Sequence, residues 1–322
     1  MDILRSLRIQ AQTKCPLCGA GEGWVAGQRD RQGRPLLTLL CPECGLYRTD
    51  PLPESAALRE YYFERYRIEY KGVSRPKAHH VLRAALAARD RLGWLRPHLP
   101  AGGRWLEAGA GSGEFAFLME RAGLKVTALE PNRGYAEYLR DALGLDVREG
   151  FLEDLDPAAE RFAGISCFHV LEHHPDPVGA LRRMGELLAP GGVLAVEVPN
   201  AGFTAVHPGR RFHPAHLVHF HLDNLVGAAE AAGLMAVEAR ESADGGILWA
   251  VFRTAEERTG TLRRMAADVV WACEQGRSAA SYYASPRVWA RTLSRLAGLG
   301  AERLRALAFP GPRAYLTALK LP

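Results

Sequence analysis

The stretch from Trp105 to Gly113 constrains the fold of this chain more than any other. A short apolar run follows a Gly-Gly turn and ends in Gly109, Gly111 and Gly113. Residues 114–121 then have helix-forming character, so the pattern predicts a buried strand, a tight turn and a helix N-terminus. Glycine lacks a Cβ atom, so this loop can take positive φ angles, and free N–H groups at the start of the helix can face a ligand. The sequence therefore predicts a binding surface made of main chain.

The spacing of these glycines differs from a dinucleotide fingerprint, whose third glycine comes three residues after the second, where this chain has Glu114. The motif is Glu-x-Gly-x-Gly-x-Gly, headed by Glu107, and it resembles motif I of class I S-adenosylmethionine (SAM) dependent methyltransferases. The resemblance implies SAM as the cofactor, with the Glu107 carboxylate suited to its sulfonium. A predicted strand over residues 125–129 ends in Glu130 and Pro131, and an acid about twenty residues past the glycines is where a ribose-binding carboxylate belongs. The alternative is a cluster of turn glycines beside a solvated glutamate.

Predicted strands and helices alternate from residue 104 onward. The strands cover residues 104–108, 125–130, 145–148, 164–170 and 192–198, and the helices cover residues 114–122, 133–143 and 177–189. Such alternation is typical of a doubly wound α/β sheet, which binds ligands at the carboxyl ends of its strands. Together with the resemblance, it implies a mostly parallel seven-stranded sheet.

Four of the six cysteines form two C-x-x-C pairs, Cys15 with Cys18 and Cys41 with Cys44, separated by 22 residues. The chain shows no export signal, so this spacing favours a metal over disulfides. Two such knuckles can place four thiolates around one tetrahedral Zn²⁺ and leave no position for water. The spacing predicts a structural zinc ribbon, and the alternatives are a redox C-x-x-C pair or unmetallated thiols.

The net charge is +5, and most of the positive charge comes from arginines spread along the chain. Without a dense basic tract, nucleic acid is a permitted partner but not a favoured one. No apolar run approaches the length of a membrane span, and the N-terminal residues lack the apolar core of a secretory signal. We therefore expect a cytoplasmic protein, whose oligomeric state the sequence does not give.

The segment Gly150-Phe-Leu-Glu-Asp154 follows the third predicted strand, where many class I methyltransferases place an acid that binds the adenine amino group. The residue directly after the glycine is Phe151 here, which departs from that pattern. We therefore expect the adenine to be held by Phe151, by the backbone of Leu152 or by Glu153.

The fourth predicted strand leads into His169-Val-Leu-Glu-His-His174. Because ligands bind beyond the carboxyl ends of parallel strands, we expect His169, Glu172 and His173 near the methionine end of SAM and its methyl group. The alternative role of Glu172 or His173 is to cap or orient the helix that begins near residue 177.

A group of histidines follows at positions 207, 213, 216, 219 and 221. The segment around His216 resembles the His-Leu-x-x-Phe segment of methyltransferases that carry an N-terminal ribbon, a group that includes deoxysugar C-methyltransferases. In the sugar enzymes, a histidine at this position acts as general base beside a Glu and a Tyr, whereas here the neighbours are Ala215 and His213. The resemblance implies His216 as the leading base, with His173 or His213 in support. A second metal site and purely structural histidines are the other interpretations.

The rest of the chain has weaker patterns. Aromatic residues at 61, 62, 63, 66 and 70 predict packing or a pocket wall, and residues 77–96 predict an amphipathic helix. Strands are expected over residues 234–239 and 247–252, helices over 255–275 and 287–308, and a closing strand over Ala314 to Leu321. We expect a zinc ribbon over residues 1–50, a linker over 51–100, a SAM-binding domain over 101–240 and a C-terminal helical insertion or extension over 241–322 that shapes the acceptor side.

The sequence thus predicts a SAM-dependent methyltransferase that acts on a small molecule such as a sugar, a glycan or a secondary metabolite. The methyl group moves by in-line displacement, and a base is needed only where the acceptor must lose a proton. One alternative is an RNA base methyltransferase whose ribbon binds the nucleic acid. Another is a non-catalytic protein that binds SAM or a partner through its ribbon.

Overall fold

The computed structural model describes residues 8–65, 76, 78–255, 267–294, 298 and 308–322. The strands are β1 (Arg8–Gln10), β2 (Glu22–Arg29), β3 (Pro35–Leu40), β4 (Tyr47–Thr49), β5 (Arg104–Ala108), β6 (Lys125–Glu130), β7 (Asp146–Glu149), β8 (Phe162–Phe168), β9 (Leu188–Pro199), β10 (Val218–His219), β11 (Leu234–Glu241) and β12 (Ile247–Thr254). The α-helices include α1 (Ser55–Glu60), α2 (Ala78–Leu95), α3 (Glu114–Arg121), α4 (Arg133–Tyr138), α5 (Pro177–Leu187), α6 (Leu222–Ala231), α7 (Ala267–Gln275), α8 (Ala279–Tyr283) and α9 (Pro312–Ala318).

One sheet has seven strands in the order β11-β12-β9-β8-β5-β6-β7. β5 runs parallel to β6 and to β8, and β6 runs parallel to β7, whereas β11 and β12 are antiparallel. This mixed but mostly parallel sheet confirms the predicted α/β fold class. The strand β5 has its predicted bounds, and the helix predicted over residues 133–143 is α-helical as far as Tyr138 and π-helical from Leu139 to Leu143.

The chain divides into two compact units. Unit 1 contains Met1–Glu54, Phe168–Gly185 and Val196–Thr292, and unit 2 contains Ser55–Cys167, Glu186–Ala195 and Leu293–Pro322. The core of unit 2 includes the fully buried residues Trp105, Leu106 and Phe115, which lie on β5 and α3. Three of the five β5 residues are apolar, and every residue except Arg104 is buried, as is expected of a central parallel strand.

Unit 1 contains a five-stranded sheet in the order β1-β2-β3-β4-β10, in which the last strand comes from a distant part of the chain. Its core contains Tyr47, whose hydroxyl donates to Glu274 Oε2 over 2.8 Å. Arg211 forms a buried ion pair with the same carboxylate. This network links β4 to α7. Removal of one partner of the buried ion pair would leave an uncompensated charge and would therefore be strongly destabilising.

The closing strand predicted over Ala314 to Leu321 is wrong, because this segment forms the helix α9. Pro312 lies in the first turn of α9, where its missing N–H removes no helical hydrogen bond. Tyr315 and Leu316, which follow each other in the chain, are both buried, whereas successive residues of a half-buried strand point to opposite faces. Tyr66, Tyr70, residues 256–266 and most of residues 295–307 lie outside the described residues, so those parts of the predicted aromatic series and helices have no structural account. Within the described chain, no helix is both long enough and apolar enough to cross a membrane.

Candidate functional site

The loop Gly109–Gly113, here called the glycine loop, connects β5 to α3. Its three glycines have φ angles of 74°, 56° and 79°, all in the left-handed region. At Gly113 a Cβ atom would lie only 2.1 Å from Leu139 Cδ2. Glycine is therefore required there both for its φ angle and for the close approach of the neighbouring side chain.

The glycine loop is fastened to the end of β6 by its own amides. The amides of Gly109 and Ala110 donate to the carbonyl oxygen of Leu129 over 2.8 and 2.9 Å, and the Gly111 amide donates to Glu130 Oε2 over 2.7 Å. These three amides are satisfied within the protein, whereas the free N–H groups that the sequence predicted belong to the start of α3. The conformation of the loop is thus fixed by hydrogen bonds to the end of β6, one of which is accepted by the Glu130 carboxylate.

Glu130 is 2% exposed, and its second oxygen accepts from the Asn132 amide over 3.1 Å. Pro131 separates these two residues and directs the chain away from the strand. The Asn132 side chain caps α4 by accepting from the Tyr135 amide, and it donates to the carbonyl oxygen of Phe63. An acid held this firmly at the end of the second strand presents fixed acceptor atoms, which suits the binding of a diol.

Glu107 lies on β5 and is 5% exposed. Its Oε2 accepts from the Ala116 amide over 2.9 Å, near the start of α3. Burial raises the pKa of Glu107 to about 8, and the nearby acids Glu114 and Glu130 add to the rise, whereas Arg91 opposes it. At neutral pH this carboxyl is therefore mostly protonated unless a bound cation stabilises its charge.

The segment after β7 contains the residues predicted to hold the adenine. The ring of Phe151 lies under the guanidinium of Arg59, 4.2 Å from the ring centroid, and the Phe151 amide donates to Asp154 Oδ2. Leu152 is buried, and Arg59 also pairs with Asp154 over 2.8 Å. An aromatic face, an apolar side chain and a cation are thus gathered here, a surface suited to a planar heterocycle.

The four predicted metal ligands come together in unit 1. Cys15 Sγ lies 3.6 Å from Cys44 Sγ, Cys18 Sγ lies 3.4 Å from Cys41 Sγ, and all four sulfur atoms lie within 4.8 Å of one another. A tetrahedral ion with metal–sulfur bonds of ~2.3 Å holds its sulfurs about 3.8 Å apart, so the arrangement fits a four-thiolate metal centre.

His169 follows β8 and has a φ angle of 55°, which is rare for a residue with a side chain. Its Nε2 lies 2.9 Å from Glu197 Oε1, and its Nδ1 lies 3.4 Å from Glu172 Oε1. Burial alone would lower the pKa of His169, but the two carboxylates outweigh it and raise the pKa to about 9. The ring is therefore an imidazolium held between two buried acids.

A further set of imidazoles begins beside Glu172, whose Oε1 lies 4.0 Å from His173 Nε2. The ring of His216 lies 5.0 Å from that of His173 and 4.8 Å from that of His213. Burial and the neighbouring histidines lower the pKa of His216 well below its usual value, so this imidazole is neutral. We call His169, Glu172, His173, His213 and His216 the histidine cluster, and all five belong to unit 1.

A family model described as a methyltransferase domain matches residues 78–239, half of the chain. The match contains the glycine loop, Glu130, the segment after β7 and the histidine cluster. The chain belongs to this methyltransferase family. Its sheet order and the Glu-x-Gly-x-Gly-x-Gly loop are those of the class I SAM-dependent methyltransferases.

Curated relatives of this methyltransferase include a ubiquinone biosynthesis O-methyltransferase of Xanthomonas axonopodis pv. citri (strain 306), 36% identical over 109 residues, which are 31% of this chain and 45% of the relative. The corresponding protein of Xanthomonas oryzae pv. oryzae (strain PXO99A) is 31% identical over 167 residues, which are 48% of this chain and 69% of the relative. The chain thus spans about half the length of the first relative.

Solved structures similar to this methyltransferase include the CcbJ methyltransferase from Streptomyces caelestis, with 19% identity, coverage of 52% of this chain and 89% of that chain, and a TM-score of 0.45. The glycopeptide N-methyltransferase MtfA in complex with SAM has 18% identity, coverage of 52% and 94%, and a TM-score of 0.43.

Sequence reasoning missed two buried polar residues that contact predicted site residues or lie beside them. Glu197 on β9 binds His169, and its other oxygen accepts from Trp249 Nε1 over 2.8 Å. The sequence did offer a signal for Glu197, because it is an acid inside the apolar run of residues 193–198, and a buried carboxylate is almost always paired. Asn132, directly after Glu130 and Pro131, was the other omission, and its position before a helix was a capping signal.

Proposed function

We propose that this methyltransferase binds SAM at the carboxyl ends of β5 and β6 and transfers its methyl group to a small-molecule acceptor. The observation that supports this most is the buried Glu130 carboxylate, which fastens a loop of three left-handed glycines at the end of the neighbouring strand. When bound, SAM supplies a methyl group activated by a sulfonium. In this proposal Glu130 binds the ribose hydroxyls, and Glu107 becomes ionised near the positive charge.

The adenine would be held by Phe151 and the backbone of Leu152, two of the three groups that the sequence predicted. Support comes from the aromatic face of Phe151, oriented by Arg59, and from the buried side chain of Leu152. Pro131 would direct the chain past the ribose. Stacking on a ring and apolar contact hold a planar base without depending on an acid, which agrees with the absence of an acid at position 151.

We propose an oxygen nucleophile as the acceptor, because the curated relatives are named O-methyltransferases. A neutral hydroxyl must lose its proton as the methyl group arrives. His216 is the leading base because its imidazole is neutral and buried. His173 donates from Nδ1 to the Ala215 carbonyl oxygen, which leaves the lone pair on Nε2.

His213 is the weaker candidate for proton removal. Its Nδ1 accepts from the Ala215 amide over 2.9 Å, so the neutral ring carries its proton on Nε2. Stacked on His216 at 4.8 Å, it is better suited to position that ring than to remove a proton itself. We therefore propose His216 as the base, with His173 and His213 in support.

We also propose that Cys15, Cys18, Cys41 and Cys44 bind one structural Zn²⁺. A donor set of four thiolates leaves no open position, so the ion would stabilise the five-stranded sheet of unit 1 and take no part in the reaction. Purified protein should contain one equivalent of zinc at these thiolates. Substitution of Cys41 by Ser should release it and unfold the ribbon, and the retention of zinc in that variant would contradict the assignment.

Calorimetry with SAM and with S-adenosylhomocysteine tests the cofactor site directly. Both should bind, and release of S-adenosylhomocysteine in a screen of phenols, hydroxy acids and deoxysugars should identify the acceptor. No affinity for either nucleoside would overturn the proposal.

A further inference from the structure

Glu172 is a buried carboxylate whose oxygens have no hydrogen-bond donor. The residue is 1% exposed, and neither Oε1 nor Oε2 has a hydrogen-bond partner. Its nearest cation is His169, with Nδ1 at 3.4 Å, but the imidazolium of His169 makes its closer contact with Glu197. Burial of a carboxylate without donors is destabilising unless a cation compensates its charge.

His173 is oriented in the way that a metal-binding histidine requires. Its Nδ1 donates to the Ala215 carbonyl oxygen over 2.6 Å, so the lone pair of the neutral ring lies on Nε2. That nitrogen lies 4.0 Å from Glu172 Oε1. Metal-ligating histidines almost always donate from their other nitrogen to a carbonyl or a carboxylate, which fixes the tautomer and the ring orientation.

His216 adds a third donor from a different part of the chain. One ligand atom each from Glu172, His173 and His216 lies within 4.8 Å of the other two. The two segments are locked together by main chain, since the Leu217 amide donates to the Glu172 carbonyl oxygen over 2.8 Å. The three donors are therefore held near one another before any ligand binds.

We propose that Glu172, His173 and His216 form a binding site for a divalent transition-metal ion. Two imidazole nitrogens and one carboxylate suit Zn²⁺, Fe²⁺ or Co²⁺, whereas Mg²⁺ and Ca²⁺ prefer oxygen donors. An ion with bonds of ~2.1 Å holds tetrahedral ligands about 3.4 Å apart, so small rotations of the three side chains close the site. Three protein ligands leave at least one position open to water or to an oxygen of a ligand.

Metal binding deepens the proposed function, because it changes how an acceptor hydroxyl would be activated. A nitrogen that coordinates a metal has no lone pair left for a proton, so His216 acts as the base only in the metal-free protein. With an ion held by Glu172, His173 and His216, an acceptor oxygen could occupy the open position, where the ion would lower the pKa of the acceptor hydroxyl as metal ions do for coordinated water. Ion binding itself does not depend on SAM or on the acceptor.

The test is the metal content of the whole chain after saturation with Zn²⁺ and removal of loosely bound ion. Wild-type protein should bind two equivalents, one at the four thiolates and one at the new site. The isosteric Glu172→Gln variant and the truncated His216→Ala variant should each bind one. The control His207→Ala, a histidine outside the cluster, should keep two.

Loading with Co²⁺ separates the two sites by their spectra. The thiolate site gives sulfur-to-cobalt charge-transfer bands, which Glu172→Gln should leave intact and which also show that this variant is folded. The new site adds only weak d–d bands, which should disappear. One equivalent in the wild type, or two equivalents in Glu172→Gln, would overturn the metal site. Calorimetry with SAM on the same samples tests the proposed function separately. A lack of SAM binding would count against that function and would leave the measured metal content unchanged.

Discussion

The glycine loop and the histidine cluster both gather polar groups in a buried setting, but they satisfy those groups differently. The amides of the glycine loop bind Leu129 and Glu130 at short distances, so the loop is complete without a ligand. In the histidine cluster, the Glu172 carboxylate lacks donors and several imidazoles lie against one another. The polar groups of the loop that are described above have partners within the protein, whereas the Glu172 oxygens of the cluster do not, a property expected where a second molecule or ion completes a site.

Replacement of His216 should impair the reaction that we assign to the histidine cluster without affecting SAM binding at the glycine loop. The His216→Ala variant should release S-adenosylhomocysteine about 10²- to 10⁴-fold more slowly with the true acceptor, because it loses a group that activates the acceptor. Its affinity for SAM by calorimetry should be unchanged. His207→Ala serves as the matched histidine control, and wild-type turnover in His216→Ala would refute a role in acceptor activation.

Gly113→Ala should damage the loop through its shape. The left-handed φ of 79° costs ~1–2 kcal/mol for a residue with a side chain, and the contact of the new Cβ with Leu139 adds a further 1–3 kcal/mol of overpacking, about 2–5 kcal/mol in all. Denaturant unfolding measures this loss. The control Gly123→Ala, at the other end of α3, has a φ of 91° but no atom within 4 Å of its Cβ. An equal loss in both variants would show that the clash contributes nothing.

Glu130→Gln should weaken SAM binding and loosen the glycine loop, because the Gln side chain can accept from only one of the Gly111 and Asn132 amides. The amide keeps one acceptor oxygen but loses the charge that strengthens hydrogen bonds to the ribose, so we expect a loss of roughly 10- to 100-fold in affinity. Glu149 lies opposite Glu130 at the end of the neighbouring strand β7 and is exposed, so Glu149→Gln is the matched control. Calorimetry with SAM measures both, and equal affinities would remove Glu130 from the cofactor site.

Two buried groups close to these regions, Glu107 and His221, should make the free energy of unfolding depend on pH in opposite directions. Glu107 has a folded pKa of about 8, above its unfolded value, so its contribution to the free energy of unfolding falls as pH rises from about 4.5 to 8. His221, which lies beyond the cluster in unit 1, has its pKa lowered to about 4 by burial and by Arg211 and Arg277. Its contribution is present above its unfolded pKa of about 6.5 and is lost as pH falls toward 4.

Glu107→Gln should remove the fall in the free energy of unfolding with rising pH that comes from Glu107. His221→Gln should remove the loss at low pH that comes from His221, and each variant should leave the contribution of the other group unchanged. Unfolding measured at several pH values between 4 and 8 distinguishes them. The effect of His221→Gln should be the smallest of this series at neutral pH, because that ring is neutral there in both the folded and the unfolded chain. A slope of the same sign for both groups would mean that one of the two environments is misassigned.

The glycine loop could be predicted from the sequence because its determinants are local. Left-handed glycines after an apolar run and an acid at the end of the next strand lie within about one βαβ unit, where spacing and geometry are coupled. The two C-x-x-C pairs were predictable for the same reason, since each knuckle is closed by neighbouring residues. By contrast, α9 was mistaken for a strand because a short apolar segment has similar hydrophobicity in either conformation.

The histidine cluster could be predicted as residues but not as an arrangement. Its defining contacts join distant segments, such as the Leu217 amide with the Glu172 carbonyl oxygen and His169 with Glu197. No local rule gives the direction of a side chain after a strand, and the left-handed φ of His169 is set by these distant partners. Sequence patterns therefore indicated which groups could act but not which of them lack donors.

The fifth strand of the unit 1 sheet, β10, pairs with β4 through Val218 opposite Arg48 and His219 opposite Tyr47. During synthesis, the cysteines and β1 to β4 leave the ribosome long before residues 218–219 exist. Until then the N-terminal sheet has an unpaired edge at β4, while the whole glycine loop and five strands of the larger sheet are being made.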